Sequence, residues 1–199
     1  MLKTHSLLLR EWRMLRTQLL WRWRFRHLGS RTVVGRHGDA RHAAAVAIGH
    51  HVFLDRDWHL VDLNPSADRH QPPRIRIGAW CRILYGFHCN AALSVEIQDY
   101  VLIGPRVMVT DSDHVVDPQG SPTATGTALR SAPVVIEHNC WIGVNAVVLK
   151  GVRIGHHSIV GANAVLTSSA PPCSILAGVP ARVIGSTAPA GGGGLPPPC

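Results

Sequence analysis

Charged side chains are scarce in this 199-residue sequence, at 16% of residues, and long apolar runs are missing. A membrane-spanning helix needs about 18 or more consecutive apolar residues, but the longest candidates, residues 7–9 and 43–48, end at Arg10 and Gly49. Arginines also interrupt the apolar stretch that a secretory signal would need near the N-terminus. We therefore expect a cytoplasmic protein that is not integral to a membrane, and the apolar fraction of 46% predicts a folded chain.

Cysteine is sparse, and its spacing is not that of a metal site. The sequence has an odd number of cysteines, and no two are spaced as Cys-x-x-Cys: Cys81, Cys89, Cys140, Cys173 and Cys199. Zinc ribbons and dithiol redox sites are built on such pairs. We therefore predict free thiols and no bound metal ion.

Positive charge is unevenly distributed along the chain. The formal net charge is +8, and residues 1–28 carry seven basic side chains against one acidic side chain, so the rest of the chain is nearly neutral. The sequence has no helix-turn-helix, zinc-finger or RNA-binding motif. We therefore do not expect a nucleic acid partner, and the basic segment predicts a local contact with an anionic surface.

The basic segment 1–28 has the periodicity of an amphipathic helix. Apolar residues recur at steps of three and four, which places them on one helix face: Leu8, Trp12, Leu15, Leu19 and Trp23. Arg22 and Arg26 project onto the same side. Two compatible roles stay open, because such a helix either caps the rest of the protein or lies on the inner face of the cell membrane as a peripheral attachment.

Further along, the sequence repeats with a period of six. Aliphatic residues occupy every sixth position without a miss: Ile136, Ile142, Val148, Ile154, Val160 and Leu166. The same period is visible earlier, with interruptions after Cys89 and Val109. This period predicts a solenoid of triangular coils, with one inward aliphatic residue per hexad and glycine or asparagine at the corners.

These patterns divide the chain into four segments. We expect an amphipathic helix over 1–28, an initial coil and loop over 29–74, the solenoid over 75–186 with an active-site loop at 110–133, and a disordered Gly/Pro-rich tail over 187–199.

Three stretches resemble a known family: residues 136–155, residues 159–166 and Ala177-Gly-Val-Pro-Ala-Arg-Val-Ile184. They are similar to the left-handed β-helix hexapeptide acyltransferases, most closely to the branch of galactoside, maltose, nodulation-factor and exopolysaccharide O-acetyltransferases. The resemblance implies an all-β, left-handed parallel β-helix and a homotrimer. It also implies acetyl-CoA as a cosubstrate, no permanently bound cofactor, and acetyl transfer to a hydroxyl of a sugar, glycan or glycolipid precursor, as in polysaccharide biosynthesis.

A candidate base lies where the repeat is interrupted, in Thr110-Asp-Ser-Asp-His114-Val-Val-Asp117. Acyl transfer to a hydroxyl needs a group that accepts the hydroxyl proton, and the pKa of histidine near neutrality suits His114 to that task. A carboxylate orients such a base, and Asp111, Asp113 and Asp117 are all close enough in sequence. Members of the family carry their catalytic histidine in the equivalent loop.

The resemblance assigns further site residues. Asn90 is similar to an asparagine that contacts acceptor or thioester, and Trp141 to a tryptophan that lines the groove between subunits. Backbone N–H groups near Gly143, Gly161 and Ala162 are candidates for contacts with the thioester and pantetheine arm. Arg182 resembles the basic residue at the phosphate end of coenzyme A.

Some features depart from the family, and two other functions stay open. Family members commonly have Ile-Gly-Asp-Asn in place of Ile136-Glu-His-Asn139, and lysine in place of Ser168. One alternative is a catalytically inactive scaffold. The other is a metal site like that of the γ-class carbonic anhydrases, which Gly155-His156-His157 disfavours because the second histidine of that family's pattern is absent.

Overall fold

The computed structural model of the chain describes residues 12, 14–64, 71–116 and 128–189. Most of the basic N-terminal segment before residue 14, and the predicted disordered tail from residue 190 on, lie outside the described residues.

The described chain consists almost entirely of short strands. Residues 14–21 form helix α1, and Ala43–Ala45 form one turn of 3₁₀ helix. The strands are β1 His27–Leu28, β2 Val33–Val34, β3 Asp39–Arg41, β4 Val46–Ile48, β5 Phe53–Leu54, β6 His59–Asp62, β7 Ile75–Ile77, β8 Arg82–Ile83, β9 His88–Ala91, β10 Val95–Ile97, β11 Leu102–Ile103, β12 Met108–Thr110, β13 Ser112–His114, β14 Leu129–Ser131, β15 Val134–Ile136, β16 Trp141–Ile142, β17 Val147–Val148, β18 Arg153–Ile154, β19 Ile159–Val160, β20 Val165–Leu166, β21 Ser174–Gly178 and β22 Ala181–Ser186.

The strands form three parallel sheets that wrap around one core. Sheet A is ordered β1-β4-β7-β10-β15-β18, sheet B begins β2-β5-β8-β11-β16-β19, and sheet C is ordered β3-β6-β9-β12-β17-β20. Each strand therefore pairs with the strand one coil away in sequence, and the chain visits the three sheets in turn. The antiparallel pair β21–β22 ends sheet B. The predicted three-sided parallel β-helix is confirmed.

The hexad residues fill the interior, as predicted. Side chains from successive coils stack in register, for example Ile77, Ile97 and Ile136 in sheet A. The five residues predicted to point inward are each at most 1% exposed: Ile136, Ile142, Val148, Ile154 and Val160. Trp141 points outward and is 51% exposed, also as predicted.

The β-helix begins before the predicted boundary at residue 75. His27 and Leu28 already pair in parallel with Ala47 and Ile48, so the coils extend back to β1. The Pro-rich loop that includes residues 71–73 marks an interruption between coils and not the first coil. The boundary was placed too late because the early coils have few Ile-Gly pairs.

The expectation of glycine or asparagine at the corners is only partly right. Asparagine has positive φ at three corners, Asn139, Asn145 and Asn163. Large aromatic residues adopt the same left-handed conformation at His51, Trp80 and Tyr100, which costs about 1 to 2 kcal/mol for each residue. Stacking between coils offsets this cost, since the ring centroids of His51 and Trp80 are 3.9 Å apart and nearly parallel.

Helix α1 closes one end of the β-helix. Thr17 is 1% exposed, and its hydroxyl accepts a hydrogen bond of 2.9 Å from the N–H of Val34. Trp21 stacks on Phe25 at 5.3 Å and meets the edge of the fully buried Trp58 at 5.1 Å. The helix therefore caps the core, which was one of its two predicted roles.

The predicted apolar face of this helix does not make the cap. Trp12, Leu15, Leu19 and Trp23 are between 55% and 85% exposed, because Thr17 and Trp21, on the other side, contact the core. The periodicity therefore predicted a helix correctly, but not its end, which is at residue 21 and not 28, and not the side that packs. Among the described residues, no helix combines the length and the apolar character needed to cross a membrane.

The cysteines agree with the sequence prediction at three positions. Cys81, Cys89 and Cys140 are free and buried. Cys173 is disulfide-bonded, so the prediction of a free thiol is wrong for that residue. The spacing of the cysteines in the sequence does not show which of them form a disulfide in the folded chain.

Candidate active site

The predicted catalytic histidine lies on a hairpin that leaves the β-helix. Strand β12 ends at Thr110, and β13 then pairs with β14 in antiparallel fashion, with His114 opposite Leu129. His114 is the last residue of β13 and is exposed. Residues 117–127, between these two strands in sequence, lie outside the described part of the chain. A rigid coil thus fixes the base of an accessible segment that carries His114.

Asp111, at the base of this hairpin, has a structural role. Its buried carboxylate accepts hydrogen bonds of 2.7 to 2.8 Å from the backbone N–H groups of Ala92, Leu93 and Ser94. Such charge-assisted bonds are among the stronger ones in proteins. Asp111 therefore holds the turn after β9 in place, a role that differs from the predicted one of orienting His114.

The other two predicted carboxylates have different surroundings. Asp113 forms an ion pair with Lys150, which links the hairpin to the turn after β17. Asp117 lies outside the described residues. Among the hydrogen bonds of the described residues, none involves the imidazole of His114, so the residue that orients it stays a prediction between these two carboxylates.

Asn90 lies next to the base of the hairpin. It is half-buried in β9 and pairs in register with Thr110, the last residue of β12. The amide oxygen of Asn90 accepts a hydrogen bond of 2.9 Å from Nε2 of His88. Residues i and i+2 of a strand face the same side, so the sequence already indicates that His88 stands beside Asn90, although His88 is not among the predicted site residues.

The residues predicted to contact coenzyme A lie along sheet B. Trp141 is in β16, Gly143 follows it, Gly161 and Ala162 follow β19, and Arg182 is in β22. Among the described residues, no hydrogen bond, ion pair or ring contact joins this row to His114 or Asn90. On one chain, the predicted site residues therefore form two separate groups: one near the hairpin, with His114 and Asn90, and one along sheet B.

Two of the predicted backbone donors are already used by the β-helix. The N–H of Gly143 donates to the carbonyl of Val160, and the N–H of Gly161 donates to that of Leu176, both at 2.8 Å. These two N–H groups are therefore not available to the thioester or the pantetheine arm, and for the N–H groups near these glycines the contact stays a prediction. Within the described residues, Ala162 is exposed and donates no such backbone bond, so its N–H group stays a candidate.

The glycines serve the close approach of successive coils instead. A Cβ atom on Gly143 would lie 2.7 Å from the backbone nitrogen of Ala162 in the next coil, which is closer than packing allows. Glycine is required there by the stacking of the coils and not by a positive φ.

Arg182 is exposed at the end of sheet B. Its guanidinium donates a hydrogen bond of 2.8 Å to the carbonyl of Ala181. This contact leaves most of its donors directed to solvent, which suits contact with an anionic group.

The buried thiols near the site are not nucleophile candidates. Burial raises the pKa of Cys89, which lies directly before Asn90. Burial likewise raises the pKa of Cys140, directly before Trp141, to about 11. A thiol is reactive as the thiolate, so neither residue is suited to carry an acyl group near neutral pH.

A groove lies elsewhere on the described part of the chain. It has a volume of about 660 Å³ and lies on the outer side of sheet A, lined among others by His27, Arg76, Glu96, Tyr100 and His138. None of the predicted site residues lines it. We therefore do not assign the acyl-transfer site to this groove.

Comparison with known proteins gives one family match and several relatives. Residues 133–168 match the family described as hexapeptide repeat of succinyl-transferase. A putative lipopolysaccharide biosynthesis O-acetyl transferase of Escherichia coli K12 is 39% identical over 103 residues, which are 49% of this chain and 53% of that protein. The galactoside O-acetyltransferase of the same organism is 38% identical over 91 residues, 46% of this chain and 43% of that protein. The chain thus spans about half the length of the curated relatives it matches.

Solved structures with the same fold include ligand-bound enzymes. A hexapeptide-repeat acetyltransferase of Vibrio cholerae complexed with acetyl coenzyme A is similar at 26% identity and a TM-score of 0.57, over 86% of this chain and 76% of that chain. An N-acyltransferase of Bacillus cereus is similar in fold at 19% identity and a TM-score of 0.70, over 85% of this chain and 88% of that chain. The resemblance predicted from the sequence is confirmed, and the fold is the left-handed β-helix of these acyltransferases.

The contacts of Asp111 lead to a prediction about stability. In Asp111→Asn one oxygen must serve three N–H groups and the new NH₂ group faces donors, so at least one buried N–H is left without an acceptor. We expect the free energy of unfolding to fall by about 2 to 4 kcal/mol, measured by urea denaturation. The exposed Asp39→Asn serves as the matched control and should change it by less than about 0.5 kcal/mol. An unchanged midpoint for Asp111→Asn would contradict the structural role.

Proposed function

We propose that this chain is an acetyl-CoA-dependent O-acetyltransferase, and that its acceptor is a hydroxyl of a sugar, glycan or glycolipid precursor. The observation that carries the proposal is the exposed His114 on a hairpin that leaves a rigid left-handed β-helix. The relatives described as O-acetyltransferases support the same reaction type. An inactive scaffold would have no need of an accessible histidine at this position.

The chemistry proposed for His114 is general base catalysis. The imidazole takes the proton from the acceptor hydroxyl while the hydroxyl oxygen forms a bond to the thioester carbonyl carbon. The carbon–sulfur bond then breaks, and the departing thiolate of coenzyme A takes the proton from the imidazolium of His114, so the imidazole is neutral again at the end. Asp113 or Asp117 would hold the imidazole in the productive tautomer.

Acetyl-CoA is proposed to lie along sheet B. The indole of Trp141 is half exposed there, the N–H group of Ala162 is a free donor among the described backbone groups, and Arg182 offers a guanidinium to the phosphates. Asn90 and His88 would contact the acceptor, because they face outward beside the base of the hairpin.

A homotrimer would bring the two groups of residues together. On one chain, His114 and Asn90 belong to the side of sheet C, whereas Trp141 and Ala162 belong to the side of sheet B. If three chains pack side by side with parallel axes, the hairpin of one chain reaches the sheet B side of its neighbour. The exposed Trp141 would then be covered.

The exposed side of helix α1 is proposed to contact an anionic membrane surface. The cap uses Thr17 and Trp21, which leaves Leu19 and Trp23 exposed next to Arg22 and Arg24, which are also exposed. An apolar side flanked by arginines is the arrangement of interfacial helices. A peripheral position on the inner face of the membrane, within the cytoplasm, suits a lipid-linked acceptor.

The first prediction from this proposal concerns the base. Replacement of His114 by alanine should lower turnover of acetyl-CoA by about 10² to 10⁴-fold, the usual contribution of general base catalysis, while acetyl-CoA binding survives. The measurement is thiol release with a panel of sugar and glycan acceptors, together with calorimetry for acetyl-CoA. His37→Ala is the matched control, since that side chain is 76% exposed on the β-helix. Full activity in folded His114→Ala would assign the base to another residue.

The second prediction concerns assembly. Sedimentation equilibrium at micromolar concentration should give the mass of three chains of 21.6 kDa each. Trp141→Glu should shift the distribution towards smaller species, because a carboxylate would have to be desolvated in the interface. A monomer for the unaltered protein would contradict the proposed trimer.

The third prediction concerns the membrane. The double variant Leu19→Gln, Trp23→Gln leaves the cap contacts of Thr17 and Trp21 intact, and it should weaken binding to anionic vesicles by about tenfold or more, since each buried apolar side chain contributes about 1.5 to 3 kcal/mol. Vesicle co-sedimentation at low and high salt measures this effect. The control variant Val183→Gln, Ile184→Gln alters two exposed apolar residues at the other end of the β-helix and should bind like the unaltered protein. Equal binding by both double variants, or none by the unaltered chain, would contradict the proposal.

A further inference from the structure

Three histidines meet at one corner of the β-helix, the corner that follows sheet A. Strands β15 and β18 pair so that Ile136 lies beside Ile154, and His138 and His156 therefore occupy the same position in successive coils. Their rings stack with centroids 4.8 Å apart and planes 15° apart. His157 follows directly at φ 59° and completes the histidine corner, His138, His156 and His157.

The local backbone turns two of these imidazoles towards each other. The left-handed conformation of His157 brings its Nδ1 atom to 3.0 Å from Nδ1 of His156. All three histidines offer nitrogen atoms that lie within 4.8 Å of one another. Within the described residues, this is the single group of three or more metal-ligating side chains with that spacing.

The distances suit a small divalent transition-metal ion. Tetrahedral zinc with Zn–N bonds of about 2.0 to 2.1 Å needs nitrogen atoms about 3.3 Å apart. The pair His156 and His157 is already near that separation, and His138 needs a change of side-chain torsion to approach. Neutral imidazole is a preferred ligand of zinc, nickel and copper.

An acidic side chain fixes the backbone at this corner. The carboxylate of Glu137 accepts a hydrogen bond of 2.8 Å from the backbone N–H of His156 and pairs with Arg153. Glu137 thus fixes the turn that carries two of the ligands, and its charge balances that of Arg153.

We propose that His138, His156 and His157 bind one divalent transition-metal ion of the zinc class, which joins two successive coils at the corner. The ion would have three protein ligands from a single chain, with the fourth position open to water. The site is independent of the acyl-transfer residues, because neither His114, Asn90 nor Trp141 belongs to it.

A second corner of the same chain supplies an internal comparison. His50 and His51 adopt the same turn, with Nδ1 atoms 2.9 Å apart and ring planes at 82°, against 84° for His156 and His157. The next coil places Trp80, and not a histidine, against this pair, and its indole stacks on His51 at 3.9 Å. The two corners thus share the pair geometry and differ in the third imidazole, which the proposal requires.

The test measures Zn²⁺ binding to the full-length, tag-free protein after dialysis against a chelator. Competition with a chromophoric zinc indicator should give one equivalent bound per chain. His138→Ala should weaken that affinity by about tenfold or more, since loss of even an outer partner of a ligand costs about 10 to 100-fold. The double variant His50→Ala, His51→Ala should bind zinc like the unaltered protein.

A spectroscopic readout separates binding from any loss of folding. Co²⁺ added in place of Zn²⁺ should give the visible absorption of a four-coordinate site, and this absorption should disappear in His138→Ala while the far-ultraviolet circular dichroism stays unchanged. The proposal is overturned if the folded, unaltered protein takes no zinc from the indicator even when the protein is in 100-fold excess over it. It is also overturned if the His50 and His51 double variant loses as much zinc affinity as His138→Ala does.

Discussion

Every other feature of this molecule depends on the hydrogen bonding of each coil to the next. The parallel ladder requires successive coils to approach at the strand spacing of about 4.8 Å, and positions such as Gly143 have no room for a Cβ atom as a result. The same spacing stacks aliphatic side chains in the interior and aromatic side chains at the corners. A residue's role is therefore set by its position within a coil and by the residues above and below it.

A stack of coils has two open ends, and the chain closes them differently. At the first, helix α1 supplies the hydroxyl of Thr17 to the backbone of Val34 and the ring of Trp21 to Trp58. At the other, β21 and β22 turn back on each other in an antiparallel pair. Because the cap needs only one side of α1, its second side is available for another surface.

The sequence predicted the fold better than the site, and the reason is physical. A period of six is repeated many times, so the inward positions of Ile136 to Val160 followed from the pattern alone. Asp111 and Asp113 look equivalent in sequence, but one binds three backbone N–H groups and the other pairs with Lys150. Contacts made across coils or through a hairpin have no signature in the spacing of neighbouring residues.

The sequence does contain a signal for the histidine corner. His138 and His156 are separated by the length of one coil, three hexads, and this separation places them one above the other. The third histidine stands in the preceding coil, so no short motif that contains His156 and His157 includes it. In a solenoid, ligands are neighbours when they are one coil apart, so the coil length is the spacing in which a metal site should be sought.

The ladder also limits where chemistry can occur. The N–H groups of Gly143 and Gly161 are bound to the next coil, so regular backbone cannot serve a substrate. What is left are the departures from the regular coil: the hairpin that carries His114, the turn in which the N–H group of Ala162 donates no described backbone hydrogen bond, and the outward side chains. These departures lie on different sides of one chain. The proposed trimer would complete the site by bringing the sides of two chains together, and the rigidity of the coils would then fix the distance between base and thioester.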